Sequence, residues 1–99
     1  MKITMKATDA ALFDDLLGMI SNSALQLGKP DAAQTIEGLR TPFKTHPVEI
    51  DEMQAMALQA MLVGLIKRSE TGRPGFSSEA VRLMRELSAE LNNQQRRPN

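Results

Sequence analysis

The hydrophobic pattern is densest in the middle of the chain. From residue 53 to residue 66 only Gln54, Gln59 and Gly64 interrupt the apolar positions. At roughly 100° per residue, Met53, Ala57, Ala60 and Gly64 share one side of a helix. Leu58, Met61, Leu62 and Leu65 share another. The strip between them holds Glu52 and Gln59 together with Met56, Val63 and Ile66. A helix that is apolar nearly all round is buried or spans a membrane. This run falls short of the roughly 20 residues that a span requires, so the pattern predicts a buried central helix. Its expected bounds are residues 48–68, VEIDEMQAMALQAMLVGLIKR, with Pro47 tolerated in the first turn. Glu49, Asp51 and Glu52 stand at its positive end and Lys67 and Arg68 at its negative end, as the helix dipole favours.

Three further helices flank it. Residues 9–27 place Phe13, Leu16, Leu17, Ile20, Ala24 and Leu27 on one face and Asp14, Asp15, Gly18, Ser21 and Asn22 on the other. Thr8 or Asp9 is the expected N-cap and Gly28 the stop. A shorter helix over residues 31–39 follows Pro30, with Ala33, Ile36 and Leu39 to bury. RTPFKTHP, residues 40–47, reads as a restrained, extended connection anchored by Phe43. SETGRPGFS, residues 69–77, is the second break. The last helix is expected over residues 78–92, capped by Ser77. Ala80, Leu83, Met84, Leu87 and Leu91 face inward, and Glu79, Arg82, Arg85 and Glu86 face out.

The ends carry weaker signals. Met1, Ile3 and Met5 alternate with Lys2, Thr4 and Lys6 over residues 1–7. That is a strand period without a second strand in view, so a short N-terminal strand would pair with its own copy; a frayed terminus explains the alternation equally well. Residues 93–99 read as a mobile polar tail.

Composition narrows the class. Ninety-nine residues make one domain with a modest core. The chain has seven Met, three Phe, and neither Tyr nor Trp. Met53, Met56, Met61 and Met84 are expected in the core, although methionine also suits surfaces that adapt to a partner. The absence of cysteine fits a reducing compartment, and the first residues lack the apolar stretch of a secretory signal. A cytoplasmic location is therefore expected. Formal charge sums to zero, which argues against a general polyanion binder.

Candidate chemistry is sparse. His46, the single histidine, precedes Glu49 by one turn, but a metal needs three or four ligands and Pro47 disturbs the pair. Asp14 and Asp15 point about 100° apart on a helix and cannot face each other. Ser77 and Ser78 have no histidine at a recognisable spacing. GRPG is no phosphate loop. No nucleophile, base and orienting group can be assembled, so neither an enzyme nor a cofactor or metal is expected. A DNA-binding use of the last helix, through Arg82 and Arg85, is the alternative. Its connection is longer than the three or four residues of a helix-turn-helix, Glu79, Glu86 and Glu90 dilute the arginines, and Arg96 and Arg97 make a weak arm.

The sequence thus predicts an all-α protein, a small bundle of three main helices and one short helix around the central one. The flanking helices offer too little to cover every side of that helix. A homodimer is expected, with part of the central or the first helix at the two-fold. By elimination the function is protein binding: a non-catalytic regulator or adaptor. It would sequester a transcription regulator, as antiactivators and antirepressors do, or serve as a secretion chaperone. The expected contacts are Met56, Val63 and Ile66 on the intermediate strip and Leu58 and Leu62 on the leucine ridge. Plain core packing is the competing role of each.

Overall fold

The structure is a computed structural model that describes residues 1–70 and 76–96. It is all-α apart from one two-stranded ladder. The elements in order are β1 (Lys2–Ile3), α1 (Ala7–Gln26), α2 (Pro30–Arg40), a 3-10 turn (Thr41–Lys44), β2 (Val48–Glu49), α3 (Glu52–Glu70) and α4 (Ser78–Arg96). They fall into two compact units, Lys2–Glu49 and Met1 with Ile50–Asn99.

In the unit Lys2–Glu49, α1 packs on α2 through the expected apolar face: Phe13, Leu16 and Leu17 are buried, as are Ala33 and Leu39. The phenyl rings of Phe13 and Phe43 meet at 4.8 Å between centroids, tilted by 58°. Phe43 is thus the anchor of its connection, although that connection is not extended. Thr41–Lys44 winds into a 3-10 turn with Pro42 near its start, where a missing N–H costs little. Ser21, buried on α1, donates its hydroxyl to the Ala33 carbonyl at 3.3 Å. A buried hydroxyl without a partner would cost roughly 1–3 kcal/mol.

The turn from α1 to α2 closes with a Schellman motif. Gly28 N–H donates to the Leu25 carbonyl at 3.0 Å and Lys29 N–H to the Ala24 carbonyl at 2.9 Å. Gly28 takes φ 74°, a conformation costly for residues with a Cβ. Leu27 is the C-cap and lies outside the helix. It is therefore exposed, not part of the inward face. At the other end α1 starts at Ala7 with Lys6 as N-cap, so Thr8 and Asp9 sit in the first turn and do not cap it.

The N-terminal strand is real, and its partner lies in the same chain. β1 pairs antiparallel with β2, Lys2 opposite Glu49 and Ile3 opposite Val48. Ile3 and Val48 are buried while Lys2 and Glu49 are exposed, the alternation expected of a half-covered ladder. The second strand occupies residues that the apolar pattern assigned to the central helix.

In the other unit, α3 accordingly begins later than its apolar pattern suggests. Asp51 caps it in a reciprocal box. Gln54 N–H donates to Asp51 Oδ1 at 2.7 Å, and Asp51 N–H donates to Gln54 Oε1 at 2.9 Å. α3 packs on α4. The inward residues of α4 are the expected ones: Ala80, Leu83, Met84, Leu87 and Leu91 are all buried. Ser77 caps α4, its Oγ accepting the Ala80 N–H at 3.1 Å. Gln59 and Ser88 join the two helices: Ser88 Oγ donates to Gln59 Oε1 at 3.0 Å and Gln59 Nε2 donates to the Ser88 carbonyl at 3.4 Å. α4 continues to Arg96, past the predicted end at residue 92. Residues 71–75, within the predicted break, and residues 97–99, within the predicted tail, lie outside the described residues.

Candidate protein-interaction surface

The central helix is buried along one face only. Ala55, Leu58, Leu62 and Leu65 form that face. They recur at spacings of three, four and three, the stripe by which a helix joins a core. On the opposite side Met53 is 82% exposed, Met56 62% and Val63 44%. Ala57, Ala60 and Gly64 lie among them and are exposed as well. These six residues span about 120° of the helix and about 16 Å of its length, taking 100° and 1.5 Å per residue. Residues 53–64 contain no charged side chain. The first charges met along this face are Glu52 at one end and Lys67 at the other, both exposed. The ordinary surface helix is polar on the side turned to water; α3 is not.

The expected contact residues therefore divide. Met56 and Val63 stand on the open face. Ile66 is half-buried at its edge. Leu58 and Leu62 are enclosed, at 1% and 0% exposure, so they belong to packing and offer nothing to a partner. The expectation that Met53 and Met56 are core is overturned by their exposure; Met84 is core and Met61 half-buried. Met53, Ala57, Ala60 and Gly64 complete the face. The sequence carried their signal, the line of spacings four, three and four, but not the side on which α3 would be left open.

No other helix presents such a stripe among the described residues. Met19, Leu25 and Leu27 are exposed on or after α1. Met19 and Leu25 are six residues apart and point to different sides. They make scattered apolar exposure, which is normal on any protein surface.

Arg82 and Arg85 of α4, His46 and Asp14 have local partners. Arg82 Nη1 donates to Glu86 Oε1 at 2.9 Å and to Oε2 at 3.0 Å, and Arg82 Nη2 lies 4.0 Å from Glu79 Oε1. Arg85 Nη2 donates to Glu70 Oε1 at 3.3 Å. His46 Nε2 donates to the Met5 carbonyl at 2.9 Å; a carbonyl only accepts, which fixes the proton on Nε2. Asp14 accepts a hydrogen bond from Arg40 Nε at 2.8 Å, whereas Asp15 is exposed. Arg40 also donates to Glu37, at 3.1 Å to Oε2. That bond is the main cause holding the Glu37 carboxyl below its ordinary value of 4.5, and the bond to Asp14 is the main cause raising the Arg40 guanidinium.

Among the described residues no group of three or more His, Asp or Glu is placed to hold a metal ion. No helix there is long and apolar enough to cross a membrane. Comparison of the chain with protein-family models, with curated proteins and with solved structures gave no significant match.

Proposed function

We propose that this chain is a small non-catalytic regulatory or adaptor protein of the cytoplasm, acting by binding another protein through the open face of α3. One observation carries the reading: Met53, Met56 and Val63 are exposed together on a charge-free helical face. Apolar surface in water costs roughly 25 cal/mol per Å² relative to a covered state. A partner helix laid along the face recovers that cost, the helix-in-groove mode of recognition. The unbranched Met53 and Met56 can adapt to a partner's shape, while Ala57, Ala60 and Gly64 let its backbone come close. A regulator that sequesters a transcription factor works in this way, and so does a secretion chaperone that covers an amphipathic segment.

The DNA-binding alternative draws less support. Arg82 and Arg85 are paired with Glu86 and Glu70, and phosphates would have to displace those carboxylates against their own repulsion.

The test is affinity capture from cells with the full chain as bait, beside the same chain carrying Met56→Glu and Val63→Glu. One stoichiometric protein recovered by the parent and lost with the variant is the expected result. Recovery of nothing, or of the same protein by both baits, defeats the proposal. Salt-sensitive retention on random duplex DNA, lost in Arg82→Ala/Arg85→Ala, would transfer the function to the alternative.

A further inference from the structure

We infer that, in the absence of its target, the open face of α3 is covered by a second copy of this chain, with the two α3 helices antiparallel and crossing at Ala60. The inference rests on the reading of this face as a protein-binding surface and names its resting occupant.

Two properties of the face select the second copy and its direction. The first is charge. Glu52 closes one end of the face and Lys67 the other. Side by side in parallel, two copies place Glu52 on Glu52 and Lys67 on Lys67. Antiparallel and centred on Ala60, each Glu52 lies within one residue step, about 1.5 Å, of the level of Lys67 of the second copy. A symmetric dimer thereby gains two attractive pairs where the parallel one gains repulsion at both ends.

The second property is the order of sizes. The antiparallel register sets Met56 level with Val63 and Gly64 of the second copy, and Ala60 against Ala60 at the two-fold. Met56 then falls opposite Gly64 and Val63 opposite Ala57, the condition for interdigitation at those levels, while Met53 lies level with Lys67. In the parallel register Met53 meets Met53 and Met56 meets Met56, while Ala60 and Gly64 face their equivalents across a gap. The face itself is a single helical stripe about 16 Å long, narrower than the broad surfaces that stable interfaces bury. Such a dimer is weak and gives way to a tighter partner. The target and the second copy thus compete for one surface, and the dimer is the resting form.

The chain has no cysteine, so a single introduced thiol reports alone. Full-length Ala60→Cys, mildly oxidised at about 50 µM, should form a disulfide dimer, since bridged Cα atoms lie about 4.4–6.8 Å apart. Met53→Cys should not link to itself, its copies being about 21 Å apart along the axis. An equimolar mixture of Met53→Cys and Lys67→Cys should give the mixed dimer. Circular dichroism confirms that each variant is folded, and Glu79→Cys, on α4, sets the background of random collision. Self-linking of Met53→Cys as efficient as that of Ala60→Cys overturns the antiparallel register, and linking of every variant at the Glu79→Cys level overturns the dimer.

Charge exchange gives an independent reading at low salt. Glu52→Lys or Lys67→Glu alone should weaken self-association by about three- to tenfold, consistent with exposed ion pairs; the double exchange should restore it. Failure of the double exchange to rescue counts against the register. A parent chain that remains monomeric by light scattering at about 100 µM overturns the inference while leaving the protein-binding function to be judged by capture. A dimer whose Met56→Glu/Val63→Glu variant is monomeric, yet whose parent captures no protein, supports the inference and defeats only the proposed target.

Discussion

Met56 and Val63 stand seven residues apart, two turns along the same side of α3, and both are open to water. Leu62, the neighbour of Val63 in sequence, is fully enclosed. One step of about 100° therefore separates a side chain that holds the unit together from one that does not. Met56→Ser and Val63→Ser should each change unfolding free energy by no more than about 0.5 kcal/mol, as surface substitutions do. Leu62→Ala should cost roughly 2–5 kcal/mol. Urea titrations over a range of chain concentrations, extrapolated to infinite dilution so that self-association drops out, compare the three. A large loss at Met56 would mean that the open face is packed after all.

The Schellman turn gives a second prediction. Nothing lies within 4 Å of the position that a Cβ on Gly28 would take, yet its φ is 74°. Gly28→Ala therefore meets no clash and pays only for its backbone, about 1–2 kcal/mol in the left-handed region. Gly28→Asn should recover part of this, since Asn tolerates that region. Equal stability of the glycine and alanine chains would show that the turn rearranges.

Much of this architecture is legible in the pattern of residues, and the lapses have identifiable physical causes. The inward faces of α1, apart from buried Ser21 and exposed Leu27, and of α4 follow from their 3.6-residue period, because a polar side contrasts with each. α3 offers no such contrast: its period says that it is a helix but not which side meets α4. Leu58 and Met56 are equally apolar, and only the placement of α4 separates them. The start of α3 misleads for a related reason. Val48 and Ile50 extend the apolar run and read as helix, while the Asp51–Gln54 capping box, present in the sequence, marks the true boundary. Once residues 48–49 leave the helix, the strand partner of Ile3 appears.

That capping box should be measurable. Asp51 Oδ1 satisfies the Gln54 N–H, one of the donors that a helix start leaves unpaired. Asp51→Ala should cost about 1 kcal/mol, and Asp51→Ser clearly less. Hydrogen exchange at the first turn of α3 should quicken in the alanine variant while exchange at Leu62 changes only with global stability. Protection at Gln54 unchanged by Asp51→Ala would remove the cap from the account.

Acid titration isolates Glu37. Its carboxyl is held below 4.5 chiefly by the hydrogen bond from Arg40. A depressed carboxyl stabilises the folded state above its unfolded pKa and loses that contribution as pH falls through the folded value. The stability difference between the parent and Glu37→Gln should thus be constant from pH 7 down to about 4.5 and close below it. The group is on the surface, so the difference should also shrink in salt. A difference that persists unchanged at about pH 3 would assign the effect to packing and not to charge.

The last prediction concerns Gly18, which lies beneath the guanidinium of Arg40. A Cβ there would come 3.0 Å from both Cζ and Nη1 of Arg40. Two effects then oppose each other. Alanine in a helix interior is favoured over glycine by roughly 0.5–1 kcal/mol. The methyl group, however, must push aside a guanidinium whose Nε is fixed on Asp14 at 2.8 Å and which also donates to Glu37. In the parent chain Gly18→Ala should therefore deliver little of the propensity gain. In an Arg40→Ala background nothing obstructs the methyl, and the full gain of roughly 0.5–1 kcal/mol should return. The double-mutant cycle should show unfavourable coupling between the methyl group and Arg40. Equal effects of Gly18→Ala in both backgrounds would mean that Arg40 yields its seat at no cost.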